Sequence, residues 1–312
     1  MNKQNIRAYT AGYIDGDGCI YLGKTIQRPK IITVYEYSIQ IVSVKTEVLD
    51  GFKDTFGGYV RKKPPKLRHK DAFCWTIKGK ESVCCAQEVN PYLIDKRSQC
   101  AMFIQFSQLI YCNKFKPVNE TIIDDREKLI KAIREEKHMN NVVTKETIEC
   151  LKDQRFTITP TAIDYPYLAG LIDSEGCFRI KKWKPKNKPN HVHNITVEIG
   201  NTKLPIMPWL VHRFGGSVVF IAGRLNKKHS ATWTLSSAAL YEILPKIRPF
   251  LVTKKIVCDK LIEFQQTILP NGGDRHSELF RALFEKRQEI RERIVKEVHE
   301  FNLKGLNKSS SL

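Results

Sequence analysis

Leu168-Ala-Gly-Leu-Ile-Asp-Ser-Glu-Gly176 nearly repeats an earlier segment, Thr10-Ala-Gly-Tyr-Ile-Asp-Gly-Asp-Gly18. Both run from small and apolar residues into an acid–X–acid–Gly ending, and their final acids, Asp17 and Glu175, lie 158 positions apart. The same shift carries Phe56-Gly57-Gly58 onto Phe214-Gly215-Gly216, Trp75-Thr76 onto Trp233-Thr234, and Pro91-Tyr92-Leu93 onto Pro249-Phe250-Leu251. Lys96 becomes Lys254 and Phe106 becomes Phe264. One constant offset through separate landmarks marks an internal duplication. Two domain-sized copies predict a pseudo-two-fold molecule, built like a dimer whose subunits were fused.

The 312 residues leave each copy room for its own core. They divide into a first repeat over 1–115, a helical linker over 116–164, a second repeat over 165–270, and a C-terminal helix and tail over 271–312. The formal charge of +19 draws such a chain to polyanions. No apolar run approaches the ~18 residues of a membrane span, and the N-terminus carries no apolar signal segment. Nucleic acid is the expected partner, with no membrane, in an intracellular, DNA-associated setting: an organelle (chloroplast or mitochondrion) or a microbial cytoplasm. The nine cysteines include no CxxC pair and are odd in number. They read as small buried residues in a reducing compartment.

Each copy reads as helix, two strands, helix, two strands and two helices, so the fold class is α+β with two pseudo-symmetric αββαββα units. In the second strand, Tyr37, Ile39 and Ile41 alternate with Glu36, Ser38 and Gln40. In its counterpart, Ile195, Val197 and Ile199 alternate with Asn194, Thr196 and Glu198. Period-2 patterning describes an antiparallel sheet with one buried and one polar face. Helices are expected at Thr46–Phe56 and Lys203–Phe214, Lys80–Val89 and Ser237–Ile247, and Lys96–Tyr111 and Thr253–Ile268. In the linker, Asp124–His138 and Thr144–Gln154 look helical, capped by Asp124 and Thr144. The linker has no counterpart in the first copy and must reach across the molecule. Helical spacing continues through Ser277–Phe301.

Positive charge gathers in the hairpin tips Lys24–Lys30, Arg61–Lys70, Lys181–His193 and Arg224–His229. Four basic loops at matching positions, flanking polar sheet faces, predict a saddle over duplex DNA. Lysines and arginines would neutralise phosphates, and strand side chains would read base edges in the major groove. The expected contacts in the first copy are Lys24, Thr25, Gln27, Arg28, Glu36, Ser38, Gln40, Arg61, Lys63 and Arg68. In the second copy they are Lys181, Trp183, Lys186, Asn194, Thr196, Glu198, Arg224, Lys227 and Lys228. His191 and His193 read as part of a DNA-facing loop, and Trp75 and Trp233 as core.

A carboxylate at a helix C-terminus sits where the helix dipole disfavours it. Both copies keep two acids there, in a basic protein, which calls for a compensating cation. Ala11-Gly12 and Ala169-Gly170 would let the two motif helices approach closely. Asp17 and Glu175 would then converge on the pseudo-axis as a Mg²⁺ site of the kind that acts on phosphodiesters.

The paired segments resemble the signature of the LAGLIDADG homing endonucleases in their monomeric, two-repeat form. The resemblance runs from about Arg7 to Tyr111 and from Tyr165 to Leu269. It implies a monomeric, site-specific double-strand DNA endonuclease that leaves short 3′ overhangs on a long, partly palindromic site. It also implies Asp17 and Glu175 as metal ligands, with the carbonyls of Gly16 and Ser174 completing the shell and Asp15 and Asp173 structural. Lys96 and Lys254 match its catalytic lysine, and Ser43 and Asn201 fall where a polar residue, frequently Gln, organises water. The implied cofactor is Mg²⁺, with Mn²⁺ as a substitute and Ca²⁺ binding without cleavage. Two alternatives share the scaffold: an intron-RNA maturase, with host intron RNA as partner, and a non-cleaving DNA-binding regulator.

Overall fold

Each copy opens on its motif helix, α1 (Lys3–Asp17) or α7 (Asp164–Glu175). The helices end at Gly18 and Gly176, whose N–H groups bond back to the carbonyls of Ile14 and Ile172 and whose extended backbone leads directly into the first strand. In the first copy β1 (Gly18–Gln27) and β2 (Ile32–Ser43) are followed by α2 (Thr46–Phe56), β3 (Tyr59–Lys62), β4 (Phe73–Lys78), α3 (Gly79–Val89) and, beyond a 3-10 turn at Asn90–Tyr92, α4 (Arg97–Tyr111). Then come α5 (Glu120–Met139) and α6 (Lys145–Lys152). The second copy continues from α7 with β5 (Gly176–Trp183), β6 (Val192–Asn201), α8 (Ile206–Phe214), β7 (Ser217–Ile221), β8 (Ser230–Ser236), α9 (Ser237–Ile247), α10 (Lys255–Gln266) and α11 (Glu278–Lys304). The computed structural model describes residues 1–27, 32–64, 71–111, 119–139, 143–152, 158–184, 186, 192–223, 228–267 and 278–304.

The strands form two antiparallel four-stranded sheets of equivalent order, β1-β2-β4-β3 and β5-β6-β8-β7. The α+β class and the paired units are as the sequence predicts. One face of each sheet lies on helices: Ile20, Ile39, Ile41, Trp75 and Ile77 in the first, Phe178, Ile195, Val197, Ile199 and Trp233 in the second, all essentially buried. Trp75 and Trp233 belong to that core, and their indole N–H groups donate to the carbonyls of Gly57 and Gly215 at 2.9 and 2.7 Å. Those glycines, and Gly58 and Gly216 after them, have φ between 70° and 85°, a region that suits glycine, which explains the repeated Phe-Gly-Gly.

Three expectations need correction. First, α8 begins at Ile206 rather than Lys203, because Pro208 lacks the N–H that a helix begun earlier would need there. The first linker helix begins at Glu120, not Asp124, and is capped by Asn119, whose Oδ1 accepts from the Ile122 N–H at 3.0 Å. Thr144 does cap α6, its hydroxyl oxygen 3.2 Å from the Thr147 N–H. Second, Cys19, Cys84 and Cys150 are exposed, while Cys74, Cys85, Cys100 and Cys258 are buried.

Third, α5 has a counterpart after all, and it is α11. Arg126 donates to the Leu109 carbonyl and Arg291 to the Thr267 carbonyl, at 2.9 and 2.8 Å. Glu127 accepts from Lys24 at 2.8 Å and Glu292 from Lys182 at 2.5 Å. Lys137 donates to the Ile20 carbonyl and Asn302 to that of Phe178, at 2.6 and 2.9 Å. The partners keep the 158-residue shift, but the helices are shifted by 165. The duplicated unit therefore includes this last helix, with seven more residues ahead of it in the second copy. The chain crosses after α5: α6 packs against β7, and the Ile158 N–H donates to the His212 carbonyl at 2.7 Å.

Candidate metal centre and nucleic-acid face

The two motif helices meet at their glycines. A Cβ on Gly12 would stand 2.1 Å from the Tyr167 carbonyl oxygen, and one on Gly170 would stand 2.0 Å from that of Tyr9. Only glycine permits this approach. It brings Gly16 against Ser174 and the Glu175 side chain, and sets the Asp17 and Glu175 carboxyls within hydrogen-bonding reach of each other.

The inner acid of each motif is already satisfied. Asp15 accepts from the N–H groups of Ile94, Asp95 and Lys96 at 2.7, 3.3 and 2.9 Å, and from the Tyr167 hydroxyl at 2.7 Å. Asp173 does the same with Val252, Thr253 and Lys254, at 2.7, 3.2 and 2.9 Å, and with the Tyr9 hydroxyl at 2.8 Å. A carboxylate that leaves one helix thus caps the start of another, where the dipole favours it. These bonds also explain why α4 and α10 begin at Arg97 and Lys255, just after the clamped residues. Tyr9 and Tyr167 also obey the 158-residue shift, and each reaches across to the other copy's acid. Tyr167→Phe removes a hydrogen bond to a buried carboxylate, so urea unfolding should show a loss of roughly 1.5–3 kcal/mol. An unchanged urea midpoint would contradict this anchoring role.

Lys96 and Lys254 close the same arrangement from the other side. The Lys96 ammonium donates to the carbonyls of Ile14, Asp15 and Gly16 at 2.5, 2.9 and 3.3 Å, and Lys254 donates to those of Ile172 and Asp173 at 2.5 and 3.0 Å. Each lysine thereby caps the motif helix C-terminus and stands beside the outer acids. Burial lowers the pKa of both ammoniums. Partial withdrawal from water raises both Asp17 and Glu175 above the ordinary carboxyl range, and the Asp17 charge raises Glu175 further. Lys96 and Lys254 pull both in the opposite direction.

Two cavities flank the acid pair. One, of about 400 Å³, is bordered by Gly16, Lys96, Glu175, Asn201 and Lys203. The other, of about 510 Å³, is bordered by Ser174, Lys254, Asp17, Ser43 and Lys45. These sets match residue for residue under the 158-residue shift, so the expected catalytic residues are brought together. Ser43 and Asn201 each accept from the backbone N–H two residues on, at 3.1 and 2.9 Å. The cavities differ at their rims: Asp95, which pairs with Lys203 at 3.5 Å, stands where the other copy has Thr253.

The donor set suits a divalent cation. Among the described residues no group of three or more His, Cys, Asp or Glu is gathered to hold a metal. An ion here would have two carboxylates and nearby backbone carbonyls, with water or substrate oxygens supplying the rest, which is how Mg²⁺ is commonly bound.

Among the described residues, the sheet faces turned away from the helices carry most of the expected nucleic-acid contacts. Thr25, Arg61, Lys63, Lys181, Trp183, Lys186 and Lys228 are exposed, and Glu36, Gln40, Asn194 and Glu198 are partly so. Glu198 is tied by ion pairs to Arg179 and Lys181, at 3.3 and 2.7 Å. Lys24 is corrected: it pairs with Tyr35 in register, on the helix side, where it donates to Glu127 of α5. Ser38 and Thr196 are corrected too, since both are only 2% exposed beneath their neighbours. His193 lies on β6 with its ring against Phe264, not on a loop. Arg28, Arg68, His191, Arg224 and Lys227 lie outside the described residues, as does the Gln27 side chain. Arg179 and Tyr59 were missed; both are exposed, and strand parity alone would have found them.

Fold and site together define a pseudo-symmetric protein with paired acids between two sheets. The resemblance to the LAGLIDADG family is borne out: residues 168–268 match the family described as LAGLIDADG endonuclease, and the two-domain fold is shared with solved homing endonucleases of that family. I-SmaMI bound to an uncleaved DNA target in the presence of calcium ions superposes with a TM-score of 0.63 at 14% identity, covering 94% of this chain and 98% of that one. The I-LtrWI LAGLIDADG homing endonuclease bound to target DNA gives 0.62 at 17%, covering 94% and 98%. The LAGLIDADG meganuclease I-AabMI bound to uncleaved DNA gives 0.61 at 15%, covering 96% and 99%. No curated protein matches in sequence. Among the described residues, no helix is long and apolar enough to cross a membrane.

Proposed function

We propose that the protein is a site-specific homing endonuclease that hydrolyses both strands of duplex DNA in a reaction dependent on Mg²⁺. The observation that carries this reading is the juxtaposition of Asp17 and Glu175, two outer acids with no backbone clamp among the described residues, between two basic sheet faces. Two carboxylates held this close repel each other, and a cation between them removes that cost. A non-cleaving DNA binder has no use for such a pair.

In this reading Asp17 and Glu175 hold the cation, with the carbonyls of Gly16 and Ser174 nearby. A bound divalent cation supplies charge that polarises a phosphoryl oxygen and makes water more acidic. Lys96 and Lys254 set positive charge beside the phosphates and fix the helix ends from which the acids project. Ser43 and Asn201 orient water in the two flanking cavities. Water attacks each scissile phosphate in line, and the 3′ oxygen leaves, giving 5′-phosphate and 3′-hydroxyl ends with short 3′ overhangs. The sheet faces bind the duplex as a monomer, phosphates meeting Lys and Arg and base edges meeting strand side chains.

The test is to incubate the protein and Mg²⁺ with duplex carrying its own intron-insertion sequence and to map both broken strands. Staggered breaks at one position are expected; specific binding without breaks would favour a regulator. The corrected position of Lys24 gives a second check. Arg61→Ala should reduce the salt dependence of DNA affinity by about one charge, whereas Lys24→Ala should leave it unchanged. Equal effects from both substitutions would contradict the assigned faces.

A further inference from the structure

Residues 59–63 and 217–221 are equivalents under the 158-residue shift, and they contain the edge strands β3 and β7 of the two sheets. In the first sheet Tyr59 and Arg61 stand opposite Thr76 and Cys74, on the face away from the helices. Lys63, whose N–H bonds the Ala72 carbonyl at 2.8 Å, continues that side. In the second sheet Ser217, Val219 and Ile221 take those places, opposite Thr234, Thr232 and Ser230. One flank therefore displays Tyr-Arg-Lys and the other Ser-Val-Ile.

Val219 is 55% exposed and Ile221 48% exposed, while Val218 between Ser217 and Val219 is buried on the opposite side against Trp233. Packing within the chain thus explains Val218 but leaves Val219 and Ile221 on a sheet face that also carries Arg179 and Lys181. Neither side chain can donate or accept a hydrogen bond. The major-groove edge of a duplex presents one apolar group, the thymine C5-methyl. A guanine edge, by contrast, suits Arg61.

We infer that Val219 and Ile221 read thymine methyl groups in one half-site, while Arg61 and Lys63 meet guanine or phosphate at the equivalent place in the other. This rests on the DNA-binding reading above and adds which flank differs and in what chemistry. The two half-sites diverge at the base pairs these edge strands face, one rich in thymine there and the other not.

The experiment selects bound sequences from a randomised duplex library in Ca²⁺, then replaces each enriched thymine by deoxyuridine, one at a time. Thymines in a single half-site should respond, each losing affinity roughly fourfold, the effect of one buried methyl-sized group. The double variant Val219→Ser, Ile221→Ser should lose that sensitivity and keep the preferences of the other half-site. An enriched site with no sensitive thymine, or unchanged sensitivity in the variant, overturns this inference and leaves the DNA reading standing. No enriched sequence at all overturns both.

Discussion

Asp17→Asn should abolish cleavage of both strands, with the rate falling by about a thousandfold or more, while specific DNA binding is kept or strengthened. The direction follows from charge. Burial disfavours charge on both Asp17 and Glu175, the Asp17 charge disfavours a charged Glu175 further, and Lys96 and Lys254 favour the ionised form of both. An amide at position 17 relieves the repulsion and weakens the repulsion of phosphate, so the duplex binds at least as well. The same change removes a charged oxygen donor that a divalent ion requires, and preorganised charge in such sites is worth orders of magnitude in rate. Glu175→Gln should behave alike. A gel-shift titration beside a cleavage time course separates the two effects; normal cutting by Asp17→Asn would refute the ligand assignment.

The second large effect is steric. Gly12→Val should lower stability by roughly 3 kcal/mol or more, at the upper end of what overpacking costs, and should end cleavage even where the protein remains folded. The Tyr167 carbonyl already stands 2.1 Å from the place of a Cβ, and the atom in the way is backbone, which cannot swing aside. Opening the α1–α7 contact separates Asp17 from Glu175, so stability and chemistry fail together. Gly51→Ala is the control: nothing lies within 4 Å of its Cβ position, on the exposed face of α2. It should be neutral or stabilising by up to about 1 kcal/mol. Urea unfolding of both variants makes the comparison, and equal midpoints would contradict the close-contact account.

The central site was legible in the sequence because it is made twice. A repeated acid–X–acid–Gly segment, a repeated Lys just ahead of α4 and α10 and repeated small residues leave few alternatives for how two copies meet. What remained hidden followed from features that duplication or alternation did not mark. The α5–α11 equivalence is carried by only a few residues, such as Arg126 and Arg291, and the seven additional positions move them off the 158-residue register. Lys24 sits in a basic hairpin tip, yet strand parity turns it to the helix side, a detail that composition cannot express. Val219 and Ile221 lie in the run Val218-Val219-Phe220-Ile221, which has no polar alternation to indicate two faces. The clamp on Asp15 and Asp173 requires backbone N–H groups some 80 residues away, so only the fold could reveal why the inner acids need no cation.

The most direct test of the account is a cleavage assay on duplex carrying the insertion sequence, run in Mg²⁺, in Ca²⁺ and in EDTA. The paired acids predict double-strand breaks in Mg²⁺, specific binding with intact DNA in Ca²⁺, and neither nick nor break in EDTA. Cleavage that persists in EDTA, or specific binding in Mg²⁺ with both strands left whole, would contradict it.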